Sequence, residues 1–333
     1  MTQNLYYSVQ PDGHILSIFM RRTLFFQLPF QIRPYEILSS FSRQIVMFHD
    51  MGESHRLDNI FRQISGLGLQ EYLELYMCCW VACQSDIDEI SVRYFQNQFP
   101  QETIEKFFSI LALDFEGAKR FIRSYTEHQT RKNIDYQINE HTPLDQHPFL
   151  NISNRYVCYS KKLLDSSIMY SVYDLFKGHD SNFSSRYFGK IFEQYIQMGL
   201  EYLGVNFLCE SQIQSILPRK AKSVDFLVQC DEGTVLIDAK STELHPIARV
   251  LQSKESLVRN LESTVLHGVK QIYTVASALH GNSSIRNSKV FYGIIITYKD
   301  YLIGDGKRFW DEIVGECLES WLTARASKSD FDR

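Results

Sequence analysis

Three ionisable residues interrupt a β-hairpin that is otherwise apolar. In "SVDFLVQCDEGTVLIDAKST", residues 223–242, Asp225, Asp238 and Lys240 lie among Val, Leu, Ile and Phe. The alternation predicts two strands, and Gly233 suits the positive φ wanted by a two-residue turn at Glu232–Gly233. In that register Asp225 faces Lys240, and Asp238 faces Leu227. Side chains alternate along a strand, so Asp225, Leu227, Asp238 and Lys240 share one face. Val224, Phe226, Val228, Val235, Ile237 and Ala239 form the other, an unbroken core surface. Two carboxylates and an ammonium gathered at one end of a sheet need pairing if kept dry. A divalent cation supplies it. Asp225 and Asp238 offer hard oxygen ligands that suit Mg²⁺, an ion that keeps waters for chemistry. Lys240 is then placed to orient an attacking water or to steady a phosphate oxygen, while the metal offsets charge at phosphorus. The competing arrangement is a buried Asp–Lys ion pair with a spare Asp, which is costly in an apolar hairpin.

The neighbouring elements must position these groups. "FGKIFEQYIQMGLEYLG" predicts a helix with an apolar stripe of Phe188, Phe192, Tyr195, Ile196, Gly199 and Leu203. Glu193 stands on the shoulder of that stripe, where a carboxylate is partly desolvated. "VNFLCESQI" reads as a strand. The basic loop "LPRKAK" follows, and its Arg219, Lys220 and Lys222 precede the Asp225 strand closely enough to hold a phosphate backbone near the acidic groups. A solvated loop is the alternative. "RVLQSKESLVRNLESTVLHGVKQIYTVASAL" predicts one long helix or a pair broken near Gly268. "KVFYGIIITY" reads as a strand and "RFWDEIVGECLESWL" as a closing amphipathic helix.

These residues, in this order, resemble the PD-(D/E)XK nuclease superfamily, whose fold is restriction endonuclease-like. The likeness rests on Glu193 in "GKIFEQYI", Asp225 in "SVDFLV", and Asp238-Ala239-Lys240 in "LIDAKS", and covers roughly residues 150 to 325. Val224 stands where the family name has Pro. The resemblance implies an α/β fold with a mixed central sheet flanked by helices. It also implies DNA cleavage with Mg²⁺, for which Mn²⁺ substitutes, and a Glu193 that joins Asp225 and Asp238 at the metal. Family members carry a Lys or Gln on the helix after the hairpin that touches the site, and Lys270 or Gln271 fits, with Gln271 taken as the candidate. Many such nucleases act as dimers, which makes a homo-oligomer compatible with the likeness. An RNase on the same core, or a non-catalytic nucleic-acid-binding or assembly subunit, are the alternatives.

The remainder of the chain reads differently. Pro34 opens a helical pattern, and "LQEYLELYMCCWVAC" is apolar nearly all round in its second half, as in a buried central helix. Pro100 opens a further helix and Asp114 caps another, a pair with the size of a helix-turn-helix. "TRKNIDYQINEHTPLDQHP" reads as a linker, followed by a hairpin around Ser153-Asn154. The expected division is a mainly helical domain over 1–140, serving target or partner recognition, and a nuclease-like domain over 141–333. A helical addition on such a core resembles those of bacterial anti-phage effectors, by architecture alone.

Composition narrows the class. The 333 residues are 44% apolar and 22% charged, as in a globular protein. A net charge of -4 gives no global attraction for nucleic acid, so any polyanion site must be a local basic patch. The seven Cys are scattered with no CxxC pair, which points to free thiols in a reducing compartment. With no signal-peptide order and no long uncharged run, a cytoplasmic protein without membrane contact is expected.

Overall fold

The computed structural model describes residues 34–51, 54–87, 89–128, 142–218, 222–244, 254–285, 289–301 and 306–331. The chain is a mixed α/β protein that divides into two compact units, one over 26–183 and the other beginning at Ser184.

The first unit starts with α1 (Pro34–Ile45), which widens into a π-turn (Val46–Asp50), then α2 (Ser54–Ser65) and α3 (Leu69–Gln84). Next come β1 (Glu89–Ser91), α4 (Gln101–Leu111), β2 (Ala112–Leu113), α5 (Phe115–His128), the hairpin β3 (Phe149–Ile152) and β4 (Arg155–Cys158), α6 (Lys161–Ile168) and α7 (Ser171–His179). The expected central helix is α3: Tyr72, Leu75, Tyr76, Cys79 and Cys83 are all fully buried. Asp114 caps α5 as expected, with Gly117 N–H donating to its Oδ1 at 2.5 Å. The hairpin turn also lies where the sequence puts it, with Ser153 and Asn154 at φ 52° and 63°, a conformation that Asn tolerates.

Three expectations are corrected in this unit. It is helical in its main mass but carries its own mixed four-stranded sheet, in the order β1-β4-β3-β2. The segment between α4 and α5 is β2, paired parallel to β3, so these helices are not joined by a helix-turn-helix turn. The division of the chain falls after Phe183, not near 140. The reason is polar as well as apolar. Trp80 Nε1 donates to buried Asp165 at 2.8 Å, Tyr76 OH donates to Ser167 Oγ at 2.6 Å, and Gln44 Nε2 donates to Ile168 O at 2.7 Å. These bonds fasten α6 onto α1 and α3, and Val172 N–H donating to Gln44 Oε1 at 3.0 Å adds α7.

The second unit opens with a π-turn (Ser184–Phe188) and α8 (Gly189–Tyr202), followed by β5 (Phe207–Cys209), α9 (Glu210–Ile216), β6 (Phe226–Gln229) and β7 (Thr234–Lys240). Then come α10 (Lys254–Leu261), α11 (Val265–Leu279), β8 (Phe291–Thr297), a π-turn (Trp310–Gly315) and α12 (Glu316–Phe331). The sheet order is β5-β6-β7-β8, antiparallel except for the parallel pair β7/β8, whose long connection carries α10 and α11. "VNFLCESQI" is therefore half strand and half helix. The α10–α11 break lies over Glu262–Thr264, upstream of Gly268.

Both faces of the hairpin are covered. Leu227 and Leu236 are fully buried with Val275 and Leu279 of α11, whereas Phe226, Val228 and Ile237 form the opposite buried surface, next to α8. The face expected to hold only Leu227 among its polar residues is thus core for most of its length. Among the described residues no helix is long and apolar enough to cross a membrane, and all seven Cys are free thiols.

Candidate active site

The hairpin ladder pairs Phe226 with Ile237 and Gln229 with Thr234, two residues offset from the expected register. The loop is Asp231–Glu232, closed by Cys230 N–H donating to Gly233 O at 2.9 Å. Gly233 was read as a turn residue, but it serves close approach. A Cβ there would lie 2.9 Å from Tyr292 Cε2 and 2.9 Å from Val290 O. Because the offset is even, the paired strand residues keep their faces, whereas Val224, ahead of β6, packs with Leu227 and Leu236 and not on the Phe226 face expected for it. What changes is the partner. One step beyond Phe226–Ile237, Asp225 comes level with Asp238 instead of Lys240.

Asp225 sits in the bend just before β6, and its Oδ2 accepts from Ala239 N–H at 2.6 Å. Asp225 thus lies next to the strand bond that follows Asp238, and the field of Asp238 acts on it. Asp238 is 1% exposed. Lys240 Nζ approaches Asp238 Oδ2 to 2.6 Å, an ion pair by distance. The approach lies outside hydrogen-bond angles, so that oxygen is buried without a hydrogen-bond donor. Gly268 of α11 is what makes room for it, since a Cβ there would stand 2.6 Å from Asp238 Oδ2.

Glu193 projects from α8, which rests on β7 and is tied to its end by Ser184 Oγ donating to Ser241 O at 3.0 Å. Burial, followed by the fields of Asp225, Glu210 and Asp238, raises the Glu193 carboxyl to about 7 against an opposing pull from Lys240. Asp225 is raised to about 6, chiefly by burial, with the Ala239 hydrogen bond and Lys240 opposing. Glu193, Asp225, Asp238 and Lys240 therefore lie within electrostatic reach of one another.

Gln271 is on α11 and donates through Nε2 to Ser223 O, so it touches the segment entering Asp225. Lys270, its neighbour, is drawn away by Glu262 at 2.5 Å. Lys222 is exposed. Arg219 and Lys220 lie outside the described residues.

Two further residues belong to this neighbourhood. Glu210, the first residue of α9, raises both Glu193 and Asp225. It was hidden in a segment read as strand. His267 stands one helical turn before Gln271, and its imidazole is held below the ordinary range by burial, then by Lys222, Lys240 and Lys270, with Asp238 opposing. A sequence reading that breaks the helix at Gly268 gives it no face, which is why it was missed.

Among the described residues, no three His, Cys, Asp or Glu side chains are already gathered to ligate one ion. The donor chemistry nevertheless fits Mg²⁺. A buried carboxylate oxygen lacks a hydrogen-bond donor, a second carboxylate lies beside it, and burial favours the neutral form of both Asp225 and Glu193 unless positive charge arrives. Asp225 and Asp238 would hold the ion, with Glu193 within their electrostatic reach. No family model matches the chain, and neither a curated protein nor a solved structure matches it.

Proposed function

We propose that the chain is a Mg²⁺-dependent nuclease on a restriction endonuclease-like core, hydrolysing phosphodiester bonds with DNA as substrate. One observation carries the reading. Asp225 accepts from the backbone next to Asp238, Lys240 pairs with Asp238, and Glu193 on α8 lies within electrostatic reach of all three. As a stabilising device this is a poor choice. Each desolvated ion costs several kcal/mol, and apolar residues would hold the hairpin at least as well. As a site for a cation and a phosphate it is economical.

Bound Mg²⁺ would supply a Lewis acid and an acidified water. The protein's own groups do the rest. Asp225 and Asp238 fix the hairpin end as an anionic cradle. Lys240, released from Asp238 once other positive charge compensates that carboxylate, steadies a non-bridging phosphate oxygen or the attacking water. Glu193, with a carboxyl near neutrality, is able to take up or give a proton at its Oε atoms. Gln271 holds Ser223 O and so sets the approach of Asp225. The helical first unit serves target or partner choice.

The test is cleavage of plasmid, linear DNA and RNA with Mg²⁺, Mn²⁺ or EDTA. The parent cuts DNA only with the cation, and Asp238→Ala and Lys240→Ala each slow it about 100-fold or more. Cutting at the parent rate by either variant would show the assignment wrong. The Lys240–Asp238 contact also suits a second reading, a non-catalytic nucleic-acid-binding subunit whose acidic pocket is closed by its own lysine. Binding retained in EDTA with no cutting under any metal would favour it, and cutting of RNA alone would move the substrate class.

A further inference from the structure

The groups that act on the hairpin-end carboxylates and those that act on His267 come largely from different elements. Glu193 and Glu210 come from α8 and α9, whereas His267 and Lys270 come from α11 and Lys222 from the segment leading to Asp225. Lys222, Lys240, Lys270 and Asp238 all act on His267. Two of those lysines are already engaged, Lys240 by Asp238 and Lys270 by Glu262. Lys222 and His267 make no hydrogen bond or ion pair among the described residues. Among the described residues three ammonium groups act on this partly buried imidazole and the one carboxylate acting on it, Asp238, is already paired with Lys240, a local field that favours an added anion.

Helix geometry says where that anion would lie. His267 and Gln271 are four residues apart and share a face of α11. Gln271 fixes that face against Ser223 O, and Gly268, beside His267, lets the helix close onto Asp238 Oδ2. His267 is therefore held beside the carboxylate pair, on the lysine side of it.

We propose that Lys222 and His267 form an anion subsite that holds a backbone phosphate of the nucleic-acid strand, next to the phosphate positioned by Lys240. This rests on the nuclease reading and extends it by naming where the strand continues from the cut. A neutral imidazole still offers one N–H donor to a phosphate oxygen, and the Lys222 ammonium supplies the charge. Both are positioning residues, because neither is needed at the reacting atoms.

Two measurements test it. In the first, the full-length protein is titrated with inorganic phosphate while the His267 ring resonances are followed by NMR, with no metal and no cutting required. A saturable shift that Lys222→Ala weakens about tenfold is expected. No shift in the parent, or one indifferent to Lys222→Ala, overturns the subsite.

In the second, DNA carrying one neutral methylphosphonate at successive positions around the cut is cleaved by the parent, by His267→Ala and by His267→Gln. The circular dichroism of both variants is checked against the parent. His267→Ala raises KM about tenfold and moves kcat much less, and the salt slope of binding falls by about one. At one position beside the cut the methylphosphonate and His267→Ala penalties are not additive, as expected when both remove the same contact. Additive penalties at every position overturn the subsite while leaving the nuclease reading in place. A parent that never cuts, yet shows the phosphate shift, fails the nuclease reading and keeps the anion site.

Discussion

At the scale of single residues, the site holds acids out of their ordinary range, and that has a sign. Asp225 is raised from an ordinary 3.8 to about 6, and Glu193 from 4.5 to about 7. Between these limits the folded protein keeps protons that the unfolded chain has released. Unfolding then releases protons, so these groups make stability fall as pH rises from about 4 to about 7. For Asp225 the loss is on the order of 3 kcal/mol. Urea unfolding in EDTA at pH 5 and pH 8 should show the metal-free protein more stable at pH 5, and Asp225→Asn should flatten the difference. Added Mg²⁺ should stabilise more at pH 8, where no proton competes for the carboxylates. A stability that climbs from pH 5 to pH 8 and ignores Asp225→Asn would contradict the burial of these acids. Gly268 gives a second residue-scale outcome. Alanine there gains about 1 kcal/mol of helix propensity. Its Cβ, however, meets Asp238 Oδ2 at 2.6 Å and Ile295 Cδ1 at 3.0 Å, a clash of the kind that costs about 1–3 kcal/mol. Gly268→Ala should lower the urea midpoint, and Asp238→Ser should recover part of the loss. A raised midpoint would mean that helix and hairpin separate easily here.

At the scale of elements, what could be read in the sequence was whatever a period controls. The hairpin alternation placed Asp225, Asp238 and Lys240 near one end, because a strand has only two sides and an even slip preserves them. Register itself was not legible. It depends on Gly233, whose need is set by Tyr292 of β8 and by Val290 just before it, more than fifty residues later. The α8 stripe was legible in its first half only: Phe188, Phe192 and Ile196 are buried with Glu193 on their shoulder, whereas Tyr195 is partly buried and Gly199 and Leu203, expected on the same stripe, are exposed. Short elements were the failures. β5 stops after Cys209 because a capping pair, in which Cys209 N–H donates to Gln212 Oε1 at 2.9 Å, turns the chain into α9. That turn brings Glu210 within reach of Glu193. Likewise, α11 starts at Val265, with Thr264 Oγ1 donating to Leu261 O at 3.3 Å across the break. This start puts His267 in phase with Gln271. Such local side-chain bonds leave no periodic trace, so half of the site's polar rim was invisible until the elements had ends.

At the scale of the whole molecule, the informative failure is the division of the chain. Residues 129–141, polar and without periodicity, invite a boundary near 140. The hairpin and two helices that follow nevertheless belong to the first unit. Phe108 stacks on Tyr156 at 3.7 Å and 4°, and packs edge-on against Phe149 at 5.5 Å. Asp165 is the acceptor for both Trp80 Nε1 and Gln84 Nε2, at 2.8 and 2.9 Å. Gln44, fully buried in α1, donates to Ile168 O and accepts from Val172 N–H at 3.0 Å. A chain ended at 140 deprives Trp80, Gln84 and Gln44 of these partners and uncovers the ring of Phe108. Losses of this kind, added to the apolar surface uncovered, are a large fraction of the about 5–15 kcal/mol that holds an ordinary domain together. The fragment 26–183 should therefore unfold cooperatively in urea, whereas 26–140 should show no sharp transition and should bind a dye for exposed apolar surface. A cooperative 26–140 fragment would mean that β3, β4, α6 and α7 merely rest on the first unit. The proposed nuclease unit would then have to be redrawn to begin with that hairpin.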